Sequence, residues 1–411
     1  LSRPAPRAGL AALLSALLFV AACAPLSIPQ APKSSPGADR LILRPASFED
    51  LPGWRADRHG EALRAFLRSC DKLLRRHNDA SLGGAVPGTV GAWRDVCEAA
   101  GAHDIRDHPA ARRFFEDWFR PYAAGNRDQE AGLFTGYYEP ELRGAQTPGG
   151  AYTIALYRRP GDLVTVSLGR FRDALKGERI AGRVVDGALV PYPDRGAIDA
   201  GALAGQALEL VWVDSAVDAF FLHIQGSGRV RFADGGTRRI AYAAANGQPY
   251  LAIGRSLVAN GALAREDVTM QSIRAWLESH PEQAPALMRE NKSFIFFRWL
   301  GGAAADLGPQ GAQGVALLAG RSLAVDRRFI PLGIPLWLEV RAPDGDPARP
   351  DRLLRRLMVS QDTGGAIRGP VRGDVFWGTG RAAGNIAGRM KHRGRYWLLL
   401  PRGLDVGALV N

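Results

Sequence analysis

Gln361-Asp362-Thr363-Gly364-Gly365-Ala366-Ile367-Arg368-Gly369 follows directly on the apolar run Leu353 to Ser360, which has the character of a strand. A strand that ends on a carboxylate puts Asp362 where the sheet can partly desolvate it, and desolvation favours the neutral acid. Gly364, Gly365 and Gly369 clear side chains from the ground just beyond, so backbone can come close to a ligand. Two further acidic runs flank this one. Upstream stands Ala324-Val325-Asp326-Arg327-Arg328-Phe329-Ile330-Pro331-Leu332-Gly333, and downstream Gly373-Asp374-Val375-Phe376-Trp377-Gly378. If Asp326 and Asp374 lie nearby, their charge adds to the upward push on Asp362. Both are read equally well as aspartates that cap turns.

Outward from this stretch, the chain reads as short strands between Gly and Pro turns. Strands are expected at Leu133 to Tyr138, Ala151 to Tyr157, Leu163 to Val166, Leu208 to Val213, Phe220 to Ile224 and Val230 to Phe232. A second strand-rich stretch covers Phe294 to Arg298, Val315 to Leu318, Ile334 to Val340, Leu353 to Ser360 and Tyr396 to Leu400. Apolar residues recur at three and four in Leu63, Phe66, Leu67, Cys70, Leu73 and Leu74, which marks an amphipathic helix. Trp93, Val96, Cys97 and Ala100 mark a second, and Phe114, Phe115, Trp118 and Phe119 a third. Helices return near 250–258, 270–279 and 282–290.

With 411 residues the chain suits two domains, and 49 glycines with 27 prolines favour turns over long helices. The formal charge of +12 implies a polyanionic partner or surface: nucleic acid, anionic membrane or acidic wall polymer. The basic residues are scattered, so charge alone does not choose. The N-terminus chooses a compartment. Arg3 and Arg7 precede an apolar run, Leu10 to Val20, too short to cross a bilayer, so residues 1–22 read as a signal peptide. Leu18-Phe19-Val20-Ala21-Ala22-Cys23 looks like a lipobox that would lipidate Cys23; the other reading is ordinary cleavage at an Ala-rich site. Ala24 after the cysteine resembles the outer-membrane sorting pattern, and residues 23–40 form a Pro/Ser-rich tether. That compartment leaves the outer-membrane lipid and the wall as partners, not nucleic acid. Cys70 and Cys97 are a disulfide or two buried thiols, since each lies on an apolar helix face.

Several chemistries drop out. The 7 histidines show no ligand pairing and no Cys-x-x-Cys occurs, so neither a metal site nor a cofactor is expected. No phosphate-binding glycine loop joins a strand to a helix, and the Gly-x-Ser-x-Gly elbow of a serine triad is missing. Asp214-Ser215-Ala216 and Asp362-Thr363-Gly364 resemble the paired loops of aspartic proteases. The first ends in Ala rather than Gly, and polar Ser360 and Gln361 precede the second.

The three acidic runs together look like the three-aspartate domain of wall-active enzymes. Upstream, four further runs resemble the membrane-bound lytic murein transglycosylase A family. They are Phe134-Thr135-Gly136-Tyr137-Tyr138-Glu139-Pro140, Phe221-Leu222-His223-Ile224-Gln225-Gly226-Ser227-Gly228-Arg229-Val230, Tyr242-Ala243-Ala244-Ala245-Asn246-Gly247-Gln248-Pro249-Tyr250 and Asn291-Lys292-Ser293-Phe294-Ile295-Phe296-Phe297-Arg298. Lys292 and His223 depart from the family's usual Pro and Gln.

The resemblance implies a mainly β fold with flanking helices: a double-psi β-barrel domain (about 41–130 and 299–411) with a second, smaller β-barrel-like domain (131–298) inserted, and a groove between them. It implies cleavage of the β-1,4 bond between N-acetylmuramic acid and N-acetylglucosamine in peptidoglycan glycan strands, with a 1,6-anhydro product. Asp362 inherits the role of single acid, then base, with Asp326 and Asp374 in support. Thr135, Tyr137, Tyr138, Glu139, Gln225, Gly226, Ser227, Gly228, Arg229, Asn246, Arg298, Gly364 and Gly365 are expected to line the groove. A wall-binding lipoprotein without activity is the competing reading; in it Asp362→Asn changes nothing.

Overall fold

The computed structural model describes residues 39–175, 178–301 and 307–409. The expected signal peptide, Cys23 and the tether up to residue 38 lie outside the described residues. Residues 39–411 form one unit.

Almost every residue of β13 (Ser322–Val325), β14 (Pro335–Ala342) and the C-terminal half of β15 (Arg352–Asp362) is buried, as strands packed on both faces require. With β16 (Arg372–Thr379), β17 (Lys391–Pro401) and β3 (Gly132–Glu139) they close a ring in the order β17-β14-β15-β13-β16-β3, and β3 pairs back onto β17. Closure leaves the ring no unpaired edge. Two of its pairings are parallel, β13 with β15 and β16 with β3; the others are antiparallel. This is the double-psi barrel. It extends on one side through β2 (Phe119–Asn126), which pairs with the end of β17, and β1 (Leu41–Pro45). The ring includes β3, which opens the 131–298 stretch expected as the insertion and so ties that stretch directly to the barrel.

Helices α1 (His59–Leu73), α2 (Gly91–Ala100) and α3 (His108–Trp118) cover the barrel and share its core through Phe66, Trp93, Phe114 and Phe115. Cys70 and Cys97 form a disulfide that ties α1 to α2. Arg321, only 2% exposed, joins α1 to the barrel by bonding Asp57, Glu61 and the carbonyl of Leu357.

The inserted part carries a six-stranded sheet: β4 (Glu141–Ala145), β5 (Ile154–Tyr157), β9 (Glu209–Val213), β10 (Ser227–Arg231), β11 (Thr237–Ala245) and β12 (Ile295–Leu300). A bridge from Arg158 to Phe297 curls its two edges together. Strands β6 (Val164–Ser167), β7 (Arg179–Val185) and β8 (Ala188–Pro191) form a separate small sheet. The short α4 (Arg195–Asp199), with α5 (Ala216–Gln225), α6 (Gly254–Ala259), α7 (Met270–Ser279) and α8 (Ala284–Glu290), packs beside them. Gln271 of α7 donates to the Gly384 carbonyl of α9 (Gly380–Ala387), joining the insertion to the barrel domain.

Two expected strands are not strands. Phe220 to Ile224 lies inside α5, because a short continuous apolar run fits a buried helix as well as a buried strand. Its ends carried the deciding signals: Ser215 caps the N-terminus by accepting from the amide of Asp218, and Gly226 closes the helix at φ 77°. Val315 to Leu318 belongs to a loop that folds back on itself, with Gln310 bridged to Ala316.

Candidate active site

The register of the barrel sets one row of residues side by side. Asp362 ends β15 opposite Ala324 of β13; Ala324 also faces Asp374 of β16, Asp374 faces Thr135 of β3, and Thr135 faces Lys391 of β17. Both carboxylates therefore project from one face, two strands or about 10 Å apart at the backbone. Tyr137, two residues along β3, shares that face, and its ring leans on Phe376 with centroids 5.3 Å apart.

Asp362 is held from behind. Gln361 is buried, donates to the Ala65 carbonyl of α1 and accepts from Ser322 at 2.6 Å. Ser360 donates to the Pro331 carbonyl at 2.8 Å. The polar pair before the aspartate thus anchors the strand end to its surroundings. The carboxyl itself is half-buried. Its Oδ1 accepts from the amides of Ala312, at 2.8 Å, and Thr363, at 2.9 Å; its Oδ2 accepts from the Tyr137 hydroxyl at 2.8 Å. Burial pushes its pKa up, and the three hydrogen bonds pull the other way without reversing the direction.

Asp374 is pushed up to about 6, first by burial and then by the charge of Asp362, against Arg372 and Thr135, which lower it. Thr135 accepts from Arg372 at 2.9 Å and donates to Asp374 Oδ1 at 2.7 Å. Tyr250, in the loop after β11, is 41% exposed, and its hydroxyl is raised by burial and by the charge of Asp374. Part of the insertion therefore reaches the barrel carboxylates.

Not every expected groove residue faces this place. Asp326 is 3% exposed; it pairs with Arg328 at 2.6 Å and accepts from the Gly369 amide at 2.7 Å, which holds its pKa below the usual range despite burial. These contacts brace its own turn, as the turn-capping reading of this aspartate expects. Glu139 is 0% exposed, and its carboxylate serves Arg239, Arg229 and Thr379, while Arg229 itself is half-buried. Asn246, also 0% exposed, donates to the carbonyls of Pro193 and Lys292 and accepts from the amide of Phe294. Tyr138 is buried, and its amide donates to the side chain of Gln225. Gly226 is the helix cap already described, and Gly228 is packed against Leu222 and Pro140. Half-buried Ser227 lies on β10, paired with Ala241. Gly364 and Gly365 are exposed just beyond Asp362. Exposed Arg298 donates to Gln310 at 2.6 Å, linking β12 to the loop that carries Ala312. His223 is a buried helix residue that accepts from the amide of Ile295, and burial drives its pKa down.

That loop, residues 307–318, is the part of the site that the sequence did not disclose. Gly311 lets it lie flat on β15: a Cβ there would meet the Gln361 carbonyl oxygen at 2.6 Å. Gln313 donates to the same carbonyl, and Arg68 of α1 holds the Ala316 carbonyl from behind at 2.7 Å. The useful group is a backbone N–H, which no side-chain pattern advertises. Gly308, Pro309, Gly311 and Gly314 pointed to a turn there.

The protease arrangement does not assemble. Asp214 pairs with Arg143 at 2.6 Å and Ser215 caps α5, so Asp214 is not the partner that shares a proton with Asp362.

A half-buried carboxyl on a double-psi barrel, gripped on one oxygen by amides and on the other by a phenol, is an acid–base type of site. Comparison with known proteins narrows the class. Residues 133–298 match the MltA specific insert domain, and residues 321–400 match the 3D domain. The chain is 35% identical over 268 residues to membrane-bound lytic murein transglycosylase A of Escherichia coli K12. That match spans 65% of each chain. The crystal structure of a membrane-bound lytic murein transglycosylase from Agrobacterium tumefaciens superposes with a TM-score of 0.77 at 36% identity, over 88% of this chain and 98% of that one. The structure of E. coli MltA with bound chitohexaose superposes at 0.62 and 28% identity, over 88% and 94% of the two chains. The chain belongs to the membrane-bound lytic murein transglycosylase A family.

Proposed function

We propose that this protein cleaves the β-1,4 bond between N-acetylmuramic acid and N-acetylglucosamine in peptidoglycan, leaving 1,6-anhydro-N-acetylmuramic acid, with Asp362 as acid and then base. The observation that carries the reading is the Asp362 carboxyl, half-buried and raised in pKa at the end of β15. It first gives its proton to the glycosidic oxygen as the C1–O bond breaks and oxocarbenium charge grows on the sugar. The resulting carboxylate then takes the proton of the C6 hydroxyl of the same sugar, whose oxygen closes on C1. The acid is regenerated and no water is consumed. The tethered nucleophile makes this second step intramolecular. Exposed Tyr242 and Tyr250, with half-buried Tyr137, offer ring faces for pyranose stacking. The oligosaccharide held by the E. coli relative, chitohexaose, is itself β-1,4-linked.

Asp374, on the same face as Asp362, supports a second reading: an inverting hydrolase, in which it activates water. Such enzymes keep their carboxyls roughly 6.5–9.5 Å apart. Mass analysis of sacculi digested with the protein separates the two. Anhydro-ended fragments support the transglycosylase, reducing-ended fragments the hydrolase, and intact sacculi a binding protein.

The site of action follows from the lipobox reading. Lipidated Cys23 would hold the enzyme on the periplasmic face of the outer membrane, and the excess of basic residues draws it to the anionic wall. Among the described residues no helix is long and apolar enough to cross a membrane. Labelling with a fatty-acid probe, lost on Cys23→Ala, tests the anchor.

A further inference from the structure

We propose that Tyr137 is a positioning residue for the acid: its hydroxyl reserves Oδ2 of Asp362 as the one oxygen that carries and retrieves the proton. The inference rests on the acid–base role of Asp362 given above and goes beyond it by assigning the working oxygen and the group that aims it.

The two carboxyl oxygens are not equivalent. Oδ1 faces two backbone amides, Ala312 at 2.8 Å and Thr363 at 2.9 Å. An amide N–H only donates, so each of these bonds needs a lone pair on Oδ1 in every protonation state. A proton on Oδ1 would point into a donor and leave one of these N–H groups without its acceptor in the protein. Oδ2 faces a hydroxyl instead, Tyr137 at 2.8 Å. A hydroxyl turns about its C–O bond and both donates and accepts, so it tolerates a change of proton at its neighbour. With Asp362 ionised, Tyr137 donates to Oδ2. With Oδ2 protonated, the phenol keeps one lone pair of that oxygen, and the O–H is aimed along the other direction, toward the glycosidic oxygen.

The tyrosine is placed to do this by the sheet. Tyr137 pairs in register with Phe376, its ring packs on that phenyl group, and the two parallel strands fix where the hydroxyl ends up. Burial and the charges of Asp362 and Asp374 raise the phenol's pKa well above its ordinary value, so it remains a donor. The charged or titratable groups around Asp362 are Tyr137 on β3, Asp374 on β16 with Arg372 beside it, Lys391 further along the row, and Tyr250 across from Asp374. Strand β13 and the loop 307–318 present none, and Arg68 of α1 stands behind that loop. Removing the phenol's donor therefore acts on Asp362 through one identifiable bond.

The test is Tyr137→Phe, which keeps the ring and deletes only the hydroxyl, with kcat and KM for soluble glycan strands followed across pH. Asp362 must be protonated to start the reaction, so the rate falls as pH rises through its pKa. Losing a donor to the anion raises that pKa. The expected result is a descending limb shifted upward by about one pH unit and kcat lower by roughly 10- to 100-fold, the range of a hydrogen bond to a charged group. KM should change less than about threefold, because the stacking ring survives. A pH limb that stays in place overturns the proposal, as does a large rise in KM with kcat unchanged, which would make the tyrosine a sugar contact. Asp362→Asn measured alongside separates the two layers. If it keeps the parent rate, the acid–base reading itself fails; if it is inactive while Tyr137→Phe behaves as the parent, only the role of the tyrosine fails.

Discussion

Replacing Asp362 by Asn is expected to abolish catalysis and leave the fold in place, and the contacts around the carboxyl show why the two effects separate. The Asn carbonyl oxygen occupies the place of Oδ1 and still accepts from the amides of Ala312 and Thr363. The NH2 group then meets the Tyr137 hydroxyl, which turns from donor to acceptor. Three hydrogen bonds to a charged group become neutral ones, a loss of about 1 kcal/mol each, offset by no longer holding a carboxylate in a place whose burial outweighs those bonds. The net change in stability is within about 1 kcal/mol, or a shift in Tm of no more than about 3 °C. Catalysis has no such compensation, because an amide neither gives nor takes a proton in the working pH range. General acid or base catalysis contributes roughly 10²–10⁴ for each proton transfer, and this residue performs both, so a loss of at least about 10⁴ is expected. The assay is the rate of anhydro-muropeptide release from sacculi, by mass spectrometry, beside a thermal melt. Turnover within tenfold of the parent, in a variant with an unchanged melt, refutes the mechanism.

Asp374 carries a raised pKa of about 6, so the fold favours its neutral form; that advantage is complete below the usual carboxyl pKa and is lost as pH rises through 6. Asp374→Asn should therefore raise Tm at pH 7–8, by roughly 1–2 kcal/mol of stability once solvent at the half-exposed edge is allowed for, with the gain vanishing near pH 4 in paired melts. Gly311→Ala puts a methyl group 2.6 Å from the Gln361 carbonyl oxygen and from Leu317, which lifts the Ala312 amide off Asp362. A fall of about tenfold in kcat, with the descending pH limb moved upward, is expected; kinetics identical to the parent would mean that the loop is not holding the acid. The Cys70–Cys97 disulfide closes a 27-residue separation, and the Cys70→Ser/Cys97→Ser variant should lose about 3.5 kcal/mol and on the order of 5–10 °C in Tm. Added reductant should then leave the melt of that variant unmoved.

Elements with local signals were readable from the chain. α7 matches its 270–279 periodicity, Thr269 caps it, and the continuous burial of β14 and of the C-terminal half of β15 follows their Leu- and Val-rich runs. The hairpin of β7 and β8 carries an equally local signal, Asp186-Gly187 at its turn with φ 49° and 78°. For α5 the caps at Ser215 and Gly226, not the apolar run between them, decide between helix and strand.

The identity of the acid followed from one peptide run, because a strand end, a carboxylate and a patch of glycines are written consecutively. Its environment could not be read in the same way. The groups that set its behaviour are Ala312, 50 residues away, and Tyr137, 225 residues away, each brought in by its own pairing partner rather than by a sequence pattern. The same closure of the ring separated residues that resemble one another on paper. It kept Asp374 on the face of Asp362 and sealed Glu139 at the end of β3, while Asp326 turned to Arg328 and Asn246 was buried within the insertion. A side chain's chemistry is local, but its burial and its partners depend on strand register, and register is settled by which distant strands complete the barrel.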